Sequence, residues 1–225
     1  MAQSESAHFP APLVLKVFGR LEMHPWIAAD HRAGRLEEDL FSLVVGRTMA
    51  YGWADFGSGL GGTRWGHNDA GGDWTQDGAV REIAWLQVDC AGAPAGQRLP
   101  LTPLGLVLGE CLDRLGSHQV EALEASLPVS ESVAALGDLA YAATWAGLAD
   151  PAGRVECRVT VDGGVPLDAC RARAWGAVEF HQDGPDLRCV LREWSLSSAI
   201  WLLEIITDAL REASAIGTRV RIARE

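Results

Sequence analysis

Two stretches of this chain read as the same strand–helix–strand unit, and that pattern limits the fold more than any motif. The first unit runs from Val80 to Cys90, through a helix over Pro103–Leu115, to His118–Leu127, which fits a strand or a helix equally well. The second runs from Leu187 to Trp194, through a helix over Ala199–Ala215, to Thr218–Ala223, expected as an arginine-rich edge strand. In Val80–Cys90, Ile83, Trp85 and Gln87 alternate with Ala84, Leu86 and Val88. A strand apolar on nearly both faces belongs in the middle of a sheet. Each helix carries one apolar stripe: Leu104, Leu108, Cys111, Leu112 and Leu115 in the first, and Leu202, Ile205, Ile206, Ala209, Leu210 and Ala213 in the second. Glu204, Asp208, Arg211 and Glu212 fall on the side expected to be wet. Thr102 before Pro103 reads as a helix start, as does Ser197 or Ser198 for the second helix. Residue identity between the units is too weak to establish a duplication.

The remaining segments fit around these units. Leu13–Met23 is a strand with Val14, Lys16, Phe18 and Arg20 on one face. His24-Pro25-Trp26 breaks it. Leu36–Ala50 is a helix with Glu37, Glu38 and Asp39 in its first turn, where the helix dipole favours anions. Ser130 precedes a further helix over Glu131–Gly147. The turn cluster Asp150-Pro151-Ala152-Gly153 marks a boundary between an N-terminal half, 1–150, and a C-terminal half, 151–225. The second half opens as a meander: Val155–Val161, a turn at Asp162-Gly163-Gly164, Ala172–Phe180, a turn at His181–Pro185, then Leu187–Trp194. The fold class is α+β, a mixed or antiparallel sheet with helices packed on it, arranged as two α/β halves or as one compact domain.

One stretch stands outside this regular pattern. Gly52–Gly78 holds nine glycines, with Trp53, Trp65 and Trp74, four aspartates and His67. Irregular stretches of this length in compact domains serve function or are disordered. Disordered segments lack aromatics, so the indoles point to a shaped loop over a pocket. Trp53, Arg64, Trp65 and Trp74 are the candidate ligand-binding residues, through stacking and cation–π contact. His67 with Asp69 and Asp73 is the candidate acid–base group, because imidazole titrates near neutrality and a carboxylate orients it. Asp73-x-Thr75-x-Asp77-Gly78 has the opening spacing of a calcium loop, with oxygen ligands at positions 1, 3 and 5 and glycine at 6. The spacing then fails, because Ala84 stands where a closing glutamate is needed. Calcium or another divalent metal is a weak expectation, and an aspartate-rich turn that caps its own backbone is the competing one.

Composition narrows the function classes. The 225 residues carry 19 Lys and Arg against 30 Asp and Glu, a net charge of −11. Nucleic acid is excluded, because phosphate binding needs clustered cations. The five cysteines are scattered with no C-x-x-C, which fits reduced thiols in a bacterial cytoplasm. Met1–Pro10 is polar, with no apolar signal core, and no run is long enough to span a membrane. Gly57–Gly62 lacks the lysine of a phosphate loop. The junction Ser195-Leu196-Ser197-Ser198 lacks the glycine-bearing loop of an acetyl-CoA-dependent N-acetyltransferase. Two functions stay open. One is a small-molecule-binding protein, an enzyme of bacterial specialised metabolism if His67 does acid–base work. The other is a non-catalytic accessory, immunity or assembly factor that binds a basic protein partner. A homo-oligomer fits either.

Overall fold

The chain is described from a computed structural model covering residues 12–52, 66–89, 98–128, 148–174, 176–213 and 219–225. Eight strands and five helices follow in the order β1 (Leu13–Met23), α1 (Pro25–Arg32), α2 (Leu40–Ala50), β2 (Gly66–Gly71), β3 (Arg81–Asp89), α3 (Leu101–Leu115) and β4 (Gly116–Ser126). The order continues with β5 (Val155–Val161), α4 (Leu167–Ala174), β6 (Glu179–Asp183), β7 (Asp186–Leu191), α5 (Leu196–Glu212) and β8 (Arg219–Arg224). The strands form one open sheet in the order β2-β3-β1-β4-β8-β5-β7-β6, and every neighbouring pair is antiparallel. The fold is therefore α+β.

The two units seen in the sequence occupy equivalent places in this sheet. β1 to β4 run β-α-α-β-β-α-β with strand order 2-3-1-4, and β5 to β8 run β-α-β-β-α-β with the equivalent order 6-7-5-8, so the repeats match apart from the extra helix α1. This is the split β-α-β arrangement used twice. The repeats join where β4 pairs with β8, with Glu124 opposite Arg221. The helices repeat as well: α2 packs on α3, α3 on α5, and α5 on α4. At the central crossing Gly105 lies against Ile200, and a Cβ there would stand 2.6 Å from the isoleucine side chain.

Period-two burial explains why these strands form one core. Leu13, Leu15 and Val17 of β1, Leu86 and Val88 of β3, Leu123 and Ala125 of β4, and Val159 and Val161 of β5 point toward the helices and are buried. The opposite face carries Lys16, Phe18, Glu124, Arg221, Arg158 and Arg188, laced by ion pairs. Lys16 Nζ is 2.8 Å from Glu82, Arg221 lies over the Phe18 ring at 4.9 Å, and Arg158 reaches Asp183 and Glu225, each at 2.8 Å. Cys111, Cys157, Cys170 and Cys189 are buried free thiols, and Cys90 lies outside the described residues. Among the described residues, no helix is long and apolar enough to cross a membrane.

Several local expectations change. α2 begins at Leu40, because Asp39 is its N-cap and accepts from the Ser42 backbone N–H at 2.8 Å. α3 begins at Leu101 with no side-chain cap, since the Thr102 hydroxyl turns instead to Glu204 at 2.7 Å. The cap of α5 is Ser195, in a reciprocal capping box with Ser198. His118–Leu127 is strand, within β4. Ala172–Phe180 is not one strand: α4 covers Leu167–Ala174 and β6 starts at Glu179. The alternation in Arg171-Ala172-Arg173-Ala174 imitates a strand, but Cys170 and Ala174 are buried four residues apart, a helical spacing. β8 lies in the middle of the sheet rather than at its edge. Pro25 opens α1 rather than only ending β1, because the first turn of a helix needs no N–H there. The helix expected over Glu131–Gly147 lies outside the described residues.

Candidate functional site

The glycine–tryptophan stretch is partly regular. Gly66–Gly71 forms β2, an outer strand paired with β3, so the irregular loop is shorter than its composition implies. Trp53, Arg64 and Trp65 lie outside the described residues. His67 pairs through its backbone with Val88, across a register shift between His67 and Asp69. Asp69 is exposed, and its Oδ1 accepts from the Ala70 backbone N–H at 2.9 Å. Trp74 is half-buried against the core, and its indole N–H donates to the Ile83 carbonyl at 3.0 Å. It pins the stretch to β3.

Asp73, Thr75 and Asp77 come together, around an arginine. Asp73 Oδ1 accepts from the Thr75 N–H at 3.0 Å, and Asp77 Oδ1 accepts from the Ala79 N–H at 3.0 Å. These are aspartate turns that cap their own backbone. Arg81 bridges the two carboxylates, with Nη1 2.6 Å from Asp73 and Nε 3.2 Å from Asp77. The Arg81 hydrogen bonds hold the Asp77 carboxyl down at about 2. The Thr75 hydroxyl and N–H, then Arg81, hold Asp73 below its ordinary value. A cation at this turn competes with Arg81 for both carboxylates. Among the described residues no group of three His, Cys, Asp or Glu side chains is arranged to hold a metal. Gln76 ties the same turn to the end of β1, donating to Leu21 O at 3.1 Å and accepting from Met23 N at 3.0 Å.

A cleft of about 680 Å3 lies elsewhere, between α2 and α3, and opens to solvent. Ser42, Leu43, Gly46, Arg47 and Ala50 line it from α2, and Glu110, Cys111, Asp113 and Arg114 from α3. α2 ends at Ala50, in the wall of this cleft. Arg47, Tyr51 and Glu110 form a closed polar triad at this end. Arg47 is paired with Glu110, Arg47 Nη2 donates to the Tyr51 hydroxyl at 2.7 Å, and that hydroxyl donates to Glu110 Oε1 at 2.5 Å. The Arg47 guanidinium also lies 4.4 Å from the Tyr51 ring centre. The hydrogen bonds from Arg47 and Tyr51 hold the Glu110 carboxyl below its ordinary range, and the bond to Glu110 raises the Tyr51 phenol. Burial pushes the Cys111 thiol up to about 11, so it is an inert part of the wall. The i, i+4 spacing of Arg47 and Tyr51 is visible in the sequence. Their partner on α3, 59 residues after Tyr51, is not.

A second polar cluster is buried along α5. Glu204 and Asp208 are 6% and 0% exposed. Thr102 donates to Glu204 at 2.7 Å, and Arg98 Nε lies 2.6 Å from Asp208 Oδ2. Desolvation raises both carboxyls above their usual range, against the pull of Arg98. Sequence reasoning placed these residues on a wet side. They are buried because α5 lies on the sheet with α3 and α4 on its flanks.

Compared with known proteins, the chain matches no protein-family model, no curated protein and no solved structure.

Proposed function

We propose that this chain is a small-molecule-binding protein whose ligand lies in the α2–α3 groove. The observation that carries the reading is the groove's volume of about 680 Å3 together with its mixed wall of Leu43, Gly46 and Ala50 beside the Arg47–Tyr51–Glu110 triad. Ligand sites fall in this size range and combine apolar surface with a few fixed polar groups. Comparison of the two repeats adds support. In the second repeat Arg173 of α4 pairs with Glu212 of α5, where the first repeat pairs Arg47 with Glu110. The Arg173 side chain is 11% exposed and the Arg47 side chain 43%. The glutamates are about equally exposed, at 29% and 32%, so the difference between the repeats lies at the arginine.

The catalytic extension of this reading gives His67, with Asp69 or Asp73, a proton-transfer role, and gives Trp53, Arg64, Trp65 and Trp74 contacts to the ligand. The strong tie of Asp73 to Arg81 favours binding over catalysis for that carboxylate. The test is a thermal-shift screen of a metabolite library against the wild type and Gly46→Leu. Gly46 lines the groove, and no atom stands within 4 Å of a Cβ built on it, so a leucine side chain can start there and project into the groove. Ligands of the groove stabilise the wild type and not the variant. Compounds that stabilise both equally bind elsewhere, and a set made only of those would refute the groove reading.

A second reading is a binding module for a basic protein partner. Trp26 supports it: this side chain is 66% exposed and stacks on His24 with ring centres 4.5 Å apart. Exposed tryptophan is a common interface anchor. Loss of pull-down by Trp26→Ala, with groove binding intact, would favour that reading.

A further inference from the structure

We infer that the ligand of the α2–α3 groove is an amphipathic anion, an apolar body carrying one acidic group, and that Arg114 receives that group. This inference rests on the proposal that the groove is the binding site. Of the charged residues that line the groove, Arg47 and Glu110 pair with each other, while Asp113 and Arg114 are exposed. Arg47 is committed to Glu110 and to the Tyr51 hydroxyl. Asp113 Oδ1 stands 3.2 Å from Nδ1 of His118. Arg114 is exposed, lines the groove, and has no hydrogen bond or ion pair among the described residues. It sits in the last turn of α3. The bland role of such an arginine is to complement the helix dipole, and that role needs no side-chain partner.

The apolar part of the wall lies on the facing helix. Leu43, Gly46 and Ala50 follow one another along α2 at spacings of three and four, so they form one strip beside the groove. A free guanidinium on α3 opposite an apolar strip on α2 matches a molecule with an acidic end and an apolar body. Arginine suits the role because its planar fork meets a carboxylate, sulfonate or phosphate with two parallel hydrogen bonds. The protein as a whole carries a net charge of −11, which repels anions at long range. Binding of an anion here therefore has to come from local contact with Arg114, not from steering.

The experiment uses two fluorescent probes of similar shape, the anion 1-anilinonaphthalene-8-sulfonate and the neutral N-phenyl-1-naphthylamine. Both are titrated into the full chain, Arg114→Ala, Arg114→Lys and Gly46→Leu. The expected result is that Arg114→Ala raises the Kd of the anionic probe by about tenfold and leaves the neutral probe unchanged. Arg114→Lys restores part of the loss, because it keeps the charge but not the fork. Gly46→Leu weakens both probes. An anionic-probe Kd that ignores Arg114→Ala while Gly46→Leu weakens both probes overturns the anion inference and leaves the groove reading standing. Binding of both probes that ignores Gly46→Leu overturns the groove reading, and this inference with it.

Discussion

Arg98 Nε stands 2.6 Å from Oδ2 of Asp208, and this pair closes the buried polar stripe of α5. Asp208 is fully buried, while the Arg98 side chain keeps 27% of its exposure. Removing one partner of a buried pair strands the other charge. Asp208→Ala is expected to destabilise the fold by about 3 kcal/mol, near the low end for such pairs because Arg98 retains some water. Urea unfolding of the variant measures this, and a loss below about 1 kcal/mol would show that the pair contributes no more than a surface ion pair.

Glu204 and Asp208 also set a pH dependence. Burial raises both carboxyls in the folded state. The folded protein then binds more protons than the unfolded chain, so stability falls as pH rises through the raised values. Asp39, Asp73, Asp77, Glu110 and Glu179 shift the other way, held down by hydrogen bonds from Ser42, Thr75, Arg81, Arg47 and Arg154 respectively. Their contribution is present above the ordinary carboxylate range and is lost as pH falls through it. The midpoint of thermal unfolding is expected to rise as pH falls toward the ordinary carboxylate range and to fall below about pH 4. Glu204→Gln is expected to flatten the neutral side of that profile and leave the acid side unchanged. A profile on the neutral side identical to that of the wild type would remove Glu204 from the account.

Two glycines make opposite predictions under one substitution. A Cβ on Gly105 would stand 2.6 Å from Ile200 at the α3–α5 crossing, so Gly105→Ala overpacks the contact between repeats. A destabilisation of about 1–3 kcal/mol is expected. Gly46 lies inside α2 with open space around it, so Gly46→Ala gains helix propensity, about 0.5–1 kcal/mol of added stability. Chemical denaturation of both variants checks the contrast in sign.

The open face of the sheet holds a lattice of charge. Arg158 of β5 is directly opposite Arg188 of β7, with His181 of β6 next in the same row. Like charges in register repel, and flanking acids offset them: Asp183 and Glu225 hold Arg158, and Glu156 stands 3.8 Å from Arg188. These groups are exposed, so Arg158→Ala is expected to lower stability by less than about 1 kcal/mol, an effect that fades at 1 M salt. Unfolding at low and high salt measures both.

Much of the fold was legible because period-two and period-3.6 patterns are local. Leu13–Met23 and the strand around Ile83–Val88 stand where alternation puts them, and both strand–helix–strand units were visible before their repeat was. Other features escaped. β8 looked like an edge because arginines fill one face, yet that face meets Glu124 of the other repeat, 97 residues earlier in the chain than Arg221. Glu204 and Asp208 looked wet because an amphipathic helix is read as having one covered side, and α5 is covered on its flanks as well. Glu110 was invisible as a site residue because only the packing of α2 on α3 brings it to Arg47 and Tyr51. Trp74 stood out as a ligand-binding candidate, whereas its indole N–H is spent on the Ile83 carbonyl.

The central claim, that the α2–α3 groove is a binding site, is tested most directly by native mass spectrometry of the freshly purified protein beside Gly46→Leu, each with a denatured control. The account predicts added mass on the wild type that disappears on denaturation and is missing from the variant. The same added mass on both proteins would place the bound molecule outside the groove and contradict the account.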